Sequence, residues 1–191
     1  MIVVGVGCGP GMLTEEAVEV IRGARHIYTS KRSFELVRSH VLPAAEVHFI
    51  TDYTKLSSLP DDAVLLSTGD PMLAGLGKHG DRIVPGISSL QVAAARLHLD
   101  MAKVSVVDGH GRKDYQENVI DELRRGKVVF LLADPATDLE DLGSKLTVLD
   151  IGGRMALCQD LGYPHEEIVC GTISSPPSKT SPMFCVVIGN W

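Results

Sequence analysis

Short apolar runs alternate, through the first half of the chain, with segments whose apolar residues recur every three or four positions. The opening run, MIVVGVG, is short and continuous in valine and isoleucine, the texture of a strand buried on both faces. Thr14 then stands where a helix N-cap is expected, with Glu15 and Glu16 in the first turn, where the helix dipole favours negative charge. Ala17, Ile21 and Ala24 give that helix one apolar face. HIYT predicts a second strand, SFELVRSHV a helix, and VHFI and AVLLST two further strands. RIVPGISSLQVAAARLHL repeats the plan, with a strand ending at Pro85-Gly86 and a helix starting at Ser88 or Ser89; Ser88 with Gln91 fits a capping box. Such alternation predicts a mostly parallel sheet covered by helices.

The second half has another texture. KVSVVDGHGR predicts a strand running into a glycine loop. DYQENVIDELRRGK is an amphipathic helix with Tyr115, Val119, Ile120 and Leu123 on one face and Gly126 as its stop. VVFLLAD is a buried strand, and TDLEDLGSKL a helix opened by a Thr137/Glu140 capping box. Three strand-like runs follow, RMALC, EEIVCGTI and MFCVVIG, with Pro176, Pro177 and Pro182 between the last two. The expected architecture is an α/β protein of two α/β domains: 1–107, holding the glycine-rich and Gly-Asp-Pro loops, and 108–191.

Composition narrows the function classes. With 191 residues the chain can bury a substantial core, and 45% apolar with 22% charged residues is a normal globular balance. A net charge of −6 argues against a general nucleic-acid binder. No apolar run reaches the ~18 residues that span a bilayer, and the N-terminus lacks the basic region of a signal peptide, so a cytoplasmic location is expected. Cys8, Cys158, Cys170 and Cys185 are scattered without a CxxC pair, which points to free thiols and offers no zinc signature.

Four loops carry candidate chemistry. GVGCGPG, after the first strand, includes Gly9 and Pro10 and permits close backbone approach to a ligand, or is a plain turn. It fails the dinucleotide fingerprint, because Pro10 occupies the third glycine position and the second strand ends in the basic pair Lys31-Arg32 instead of an acid. Gly69-Asp70-Pro71 ends the AVLLST strand, at the sheet edge where open α/β folds bind ligands. Asp70 there can accept hydrogen bonds from a ligand or simply stabilise its turn. VPGISS brings two hydroxyls, Ser88 and Ser89, which capping also explains; DGHGR brings His110 and Arg112 between glycines.

In order and spacing, these loops resemble the tetrapyrrole methylases. VGVGCGPGMLTEEAVEVIRGA is similar to that family's N-terminal G-x-G-P-G…L-T pattern, STGDPMLAGLG to its G-D-P loop, and VPGISSLQVAAARL to its P-G-x-S-S helix start. VVDGHGR, ADPATD and ALCQDLGYPHEEIVCGTI look like the group that methylates carbon 5 of cobalt-precorrin intermediates. Ser30, where that group often has glycine, and the proline-rich SSPPSKTSP depart from its pattern. The resemblance implies a cleft between two domains that binds S-adenosyl-L-methionine and releases S-adenosyl-L-homocysteine. It assigns donor contacts to Gly9, Pro10, Gly69, Asp70, Leu73, Ser88, Ser89, Leu132, Ala156, Leu157 and Pro182. Lys31, Arg32 and Arg112 would meet the carboxylates of a corrinoid substrate, and His110 would be base or anchor. A homodimer is implied, with a separate enzyme for methylation at carbon 15 and decarboxylation, and neither nucleic-acid nor membrane partners. The alternatives are a sister methylase acting at another corrin carbon or on a non-tetrapyrrole substrate, and a non-catalytic ligand-binding module. Under the donor-site reading, Asp70→Ala is expected to weaken donor binding with little change in thermal stability.

Overall fold

Five parallel strands build the first sheet: β1 (Ile2–Gly5), β2 (His26–Thr29), β3 (Glu46–Phe49), β4 (Val64–Ser67) and β5 (Arg82–Val84), in the order β3-β2-β4-β1-β5. The sequence of β1 and β4 is continuously apolar because both faces are covered. Val4, Val64 and Leu66 pack on one side with Ala17 and Ile21, while Val3 and Leu65 pack on the other with Leu56. Helix α1 (Glu15–Gly23) starts as expected at Thr14, whose Oγ1 accepts from the Ala17 N–H at 3.1 Å. Helix α2 (Lys31–Val37) begins two residues before the expected segment, because Ser30 caps it by accepting from the Ser33 N–H, and it tightens into a 3₁₀ turn at Arg38–His40.

The computed structural model describes residues 1–112 and 114–191. They divide into two units, Met1–Ser89 and Leu90–Trp191. This division falls earlier than the expected 107/108 boundary. Strand β6 (Val104–Asp108) pairs in parallel with β7 (Val128–Leu132) and so belongs to the second sheet. Helix α3 (Ser89–Leu97) opens at the division, and its Arg96 is held within the second unit by Glu166, Nε to Oε1 at 2.6 Å.

The second sheet also contains β8 (Arg154–Gln159), β9 (Glu167–Thr172) and β10 (Phe184–Gly189), in the order β6-β7-β10-β8-β9. Only β6 and β7 run parallel; the last strand lies antiparallel to both β7 and β8 at the middle of the sheet. Helices α4 (Tyr115–Arg124) and α5 (Leu139–Val148) contribute Val119, Leu139, Leu142 and Leu146 to a core with Leu131, Met155, Leu157 and Val186. The expected Thr137/Glu140 capping box is not formed. Asp138 is the cap, its Oδ1 accepting from the N–H groups of Glu140 and Asp141, while Thr137 Oγ1 accepts from the Asp134 N–H one turn earlier. All four cysteines are free.

Candidate functional site

Strands β4, β1 and β5 are neighbours in that order, so parallel pairing sets the loops after them side by side. The first two are joined by a backbone bridge, with Gly69 N–H donating to the Gly7 carbonyl at 2.8 Å and Gly7 N–H to that of Gly69 at 3.3 Å. Cys8 N–H donates to the Ile87 carbonyl at 3.1 Å, tying the loop after β1 to the loop after β5. Asp70 completes the bracing: Oδ1 accepts from the Met72 N–H at 2.8 Å and Oδ2 from the Gly86 N–H at 3.0 Å. The expectation that Asp70→Ala spares stability therefore gives way, because this carboxylate holds two loops together.

Glycine is required at Gly86 for a packing reason, since a Cβ there would lie 2.2 Å from the Gly69 carbonyl oxygen. Gly69 differs. Its φ is +69°, and a Cβ would meet only the Ser88 Cα at 3.9 Å, so its outer face is open to an approaching group. Gly69 and Ser88 are thus brought together, Ser88 buried and Ser89 half-buried at the start of α3. Gly9 is buried, Pro10 exposed, and Leu73 half-buried with its N–H on the Asp70 carbonyl.

The end of β2 joins this arrangement through hydroxyls. Ser30 Oγ donates to Ser33 Oγ at 3.0 Å, and the fully enclosed Ser33 Oγ lies 2.9 Å from Thr68 Oγ1. Arg32 Nη2 donates to the Cys8 carbonyl at 3.1 Å, so at least part of its guanidinium braces the glycine loop; Lys31 is exposed in the first turn of α2.

In the second unit, the parallel pair β6 and β7 likewise presents two loops at one edge. Asp108 gathers DGHGR: Oδ1 accepts from the His110 N–H at 3.1 Å with His110 Nδ1 at 3.6 Å, and Arg112 Nε is 3.4 Å from Oδ2. Both side chains project into solvent, His110 59% and Arg112 60% exposed. Asp134 links the loops, accepting from the N–H groups of Gly111 at 3.3 Å and Ala136 at 2.8 Å. Those hydrogen bonds, Gly111 first, hold its carboxyl below the usual aspartate range. Leu132 is half-buried at this edge, its carbonyl accepting from the Gly109 N–H at 2.9 Å. Ala156 and Leu157 lie mid-strand in β8 opposite Val187 and Val186, both without exposure, and Leu157 belongs to the core. Pro182 is exposed just before β10.

Several anchoring residues escaped sequence reading. Buried Gln159 pins the proline-rich segment, with Oε1 accepting from the N–H groups of Thr180 and Ser181 at 2.7 and 2.9 Å. Ser33, Thr68 and Gly86 act through partners distant in sequence, so no local spacing marks them. Asp134 carried a readable signal in Asp-Pro-Ala-Thr, since Asp and Thr three apart favour a side-chain-closed turn.

Residues 1–177 match the family model described as Tetrapyrrole (Corrin/Porphyrin) Methylases. A probable cobalt-precorrin-7 C(5)-methyltransferase of Methanocaldococcus jannaschii is 28% identical, over 85% of each chain. The crystal structure of cobalamin biosynthesis precorrin-6Y methylase from Archaeoglobus fulgidus is 31% identical and superposes with a TM-score of 0.76, over 99% of this chain and 97% of that one. The methyltransferase CobJ, 15% identical, superposes at 0.80 over 99% and 93%, a likeness of fold.

Proposed function

This chain belongs to the tetrapyrrole (corrin/porphyrin) methylases, and from that premise we propose that it methylates carbon 5 of cobalt-precorrin-7 in cobalamin biosynthesis, using S-adenosylmethionine as donor. The name of the M. jannaschii relative supports the substrate and position, and that of the A. fulgidus structure supports methylation of a precorrin in cobalamin biosynthesis. The observation that carries the donor reading is the open face of Gly69 beside Ser88, on a loop that Asp70 locks to its neighbour.

The donor, when bound, supplies a methyl carbon on a positively charged sulfur. The chain's part is chiefly positional. Gly69, its N–H and carbonyl paired with Gly7, lets a ligand approach the loop closely without a side chain in the way, and Gly9, Pro10, Leu73, Ser88 and Ser89 are the proposed further contacts. Both Asp70 oxygens are engaged by backbone N–H groups, which commits its charge to fixing the loop. Rigid loops of this kind suit an in-line transfer, where alignment alone can contribute on the order of 7–11 kcal/mol. Carbon 5 then loses a proton as ring conjugation returns, and His110 is the proposed acceptor. Arg112 and Lys31 are the proposed partners for corrinoid carboxylates, a pairing that a guanidinium makes in bidentate fashion. The reading includes a cytoplasmic homodimer and a separate enzyme for the steps at carbon 15.

Calorimetric titration with S-adenosylhomocysteine, with NADP as control, tests the donor assignment. Micromolar binding of the first alone is expected. A folded protein that binds neither would favour a non-catalytic module. Mass and methyl position of the product from cobalt-precorrin-7 then test the carbon, and a methyl elsewhere would make the protein a sister methylase.

A further inference from the structure

Outside the loops described above, two imidazoles and a carboxylate converge on the edge of the first sheet. His26 opens β2 and Glu46 opens β3, and the two are in register; His48 lies two residues along β3, on the same face. His26 Nδ1 is 3.4 Å and His48 Nε2 3.7 Å from the same oxygen, Glu46 Oε2. One ligand atom from each residue lies within 4.8 Å of the other two. A zinc ion with bonds of about 2.0–2.2 Å in tetrahedral geometry needs its ligand atoms on the order of 3.3 Å apart, so a small side-chain rotation closes the set.

The surroundings favour ligation over a chance cluster. The His48 ring stacks on Tyr28, centroids 4.7 Å apart, which fixes its plane. The other nitrogen of His26, Nε2, has Asp62 Oδ2 4.0 Å away, too far for a hydrogen bond as the side chains stand but a nearby carboxylate of the kind that orients metal-bound histidines once it closes in. The side chains are 33%, 67% and 43% exposed for His26, Glu46 and His48, so an ion can enter from solvent. Two imidazoles and one carboxylate select a transition cation of the zinc type over calcium or magnesium, and leave a fourth position open. The geometry points to a divalent zinc-type site formed by His26, Glu46 and His48, clamping edge strand β3 to β2. No local motif announces it, because the ligands come from two strands separated by a helix.

The test uses the tag-free full chain, stripped by chelator, and zinc ion alone. One zinc per chain is expected, with affinity lowered at least about tenfold in His26→Ala and in His48→Ala. Zinc should raise the melting temperature of the parent and not of either variant. Cys170→Ser, which removes the exposed thiol, should bind like the parent. Variants whose zinc-free melting curves match the parent establish that folding is intact. Absence of stoichiometric uptake, uptake unchanged in both histidine variants, or uptake lost only with Cys170 would each overturn the assignment.

Discussion

Asp70 Oδ2 accepts from the Gly86 N–H at 3.0 Å across sixteen residues of chain, so one side chain sets the spacing of two strand-end loops. Asp70→Asn replaces an acceptor with an amide that cannot satisfy both N–H groups as a carboxylate does. A loss of about 1–2 kcal/mol is expected in urea denaturation, together with weaker binding of S-adenosylhomocysteine. An unchanged midpoint would show that the loops hold their spacing without it.

Gly69 and Gly86 should respond differently to alanine. At Gly86 the new Cβ would meet the Gly69 carbonyl oxygen at 2.2 Å, and the loops must separate; marked destabilisation is expected, seen as a large fall in melting temperature. At Gly69 the cost is mainly the left-handed backbone, about 1–2 kcal/mol, and the protein should fold. Gly69→Ala should nevertheless lose at least about tenfold in S-adenosylhomocysteine affinity by calorimetry. Parent-like affinity would place the donor elsewhere.

Arg112 is exposed and paired only loosely with Asp108, at 3.4 Å, so its removal should leave the fold intact. Arg112→Ala is expected to raise the KM for the corrinoid several-fold while S-adenosylhomocysteine affinity stays constant. Equal steady-state constants for parent and variant would remove Arg112 from substrate recognition.

Asp134 makes a pH prediction. Its folded pKa lies below the ordinary 3.8, chiefly through the Gly111 and Ala136 N–H groups. A depressed carboxylate contributes stability that is complete above the unfolded value and disappears as pH falls towards the folded one. The melting-temperature gap between the parent and Asp134→Asn should therefore be constant near neutrality and shrink below about pH 4. A gap that persists undiminished at lower pH would assign the effect to shape instead of charge.

The legible parts of this molecule were those governed by local pattern. Continuous valine and leucine in β1 and β4 announced strands covered on both faces, and Thr14 marked the start of α1 because capping is decided within three residues. Thr137 misled for a related reason: Asp138 beside it is an equally good cap, and the hydroxyl closes a turn with Asp134 instead. The boundary after Val107 cut through β6, Val104–Asp108, although its segment already opened the second texture; pairing with β7 keeps the whole strand in the second sheet. Among candidate site residues, the Gly-Asp-Pro loop was readable as a place, but Asp70's bond to Gly86 was not. Nor was Ser33's contact with Thr68, which links residues 35 apart.

The position of β10 bears on how the protein is made. A ribosome delivers Met1–Ser89 complete, with every strand of its sheet, while the remainder is still being synthesised. The second unit cannot close in that order. Until residues 184–189 leave the exit tunnel, β6–β7 and β8–β9 are two separate pairs, each with an unpaired edge facing the gap that β10 fills. Such edges invite pairing with other chains. Nascent-chain handling and any truncation near the C-terminus should therefore tell first on solubility, before chemistry at the donor loops is affected.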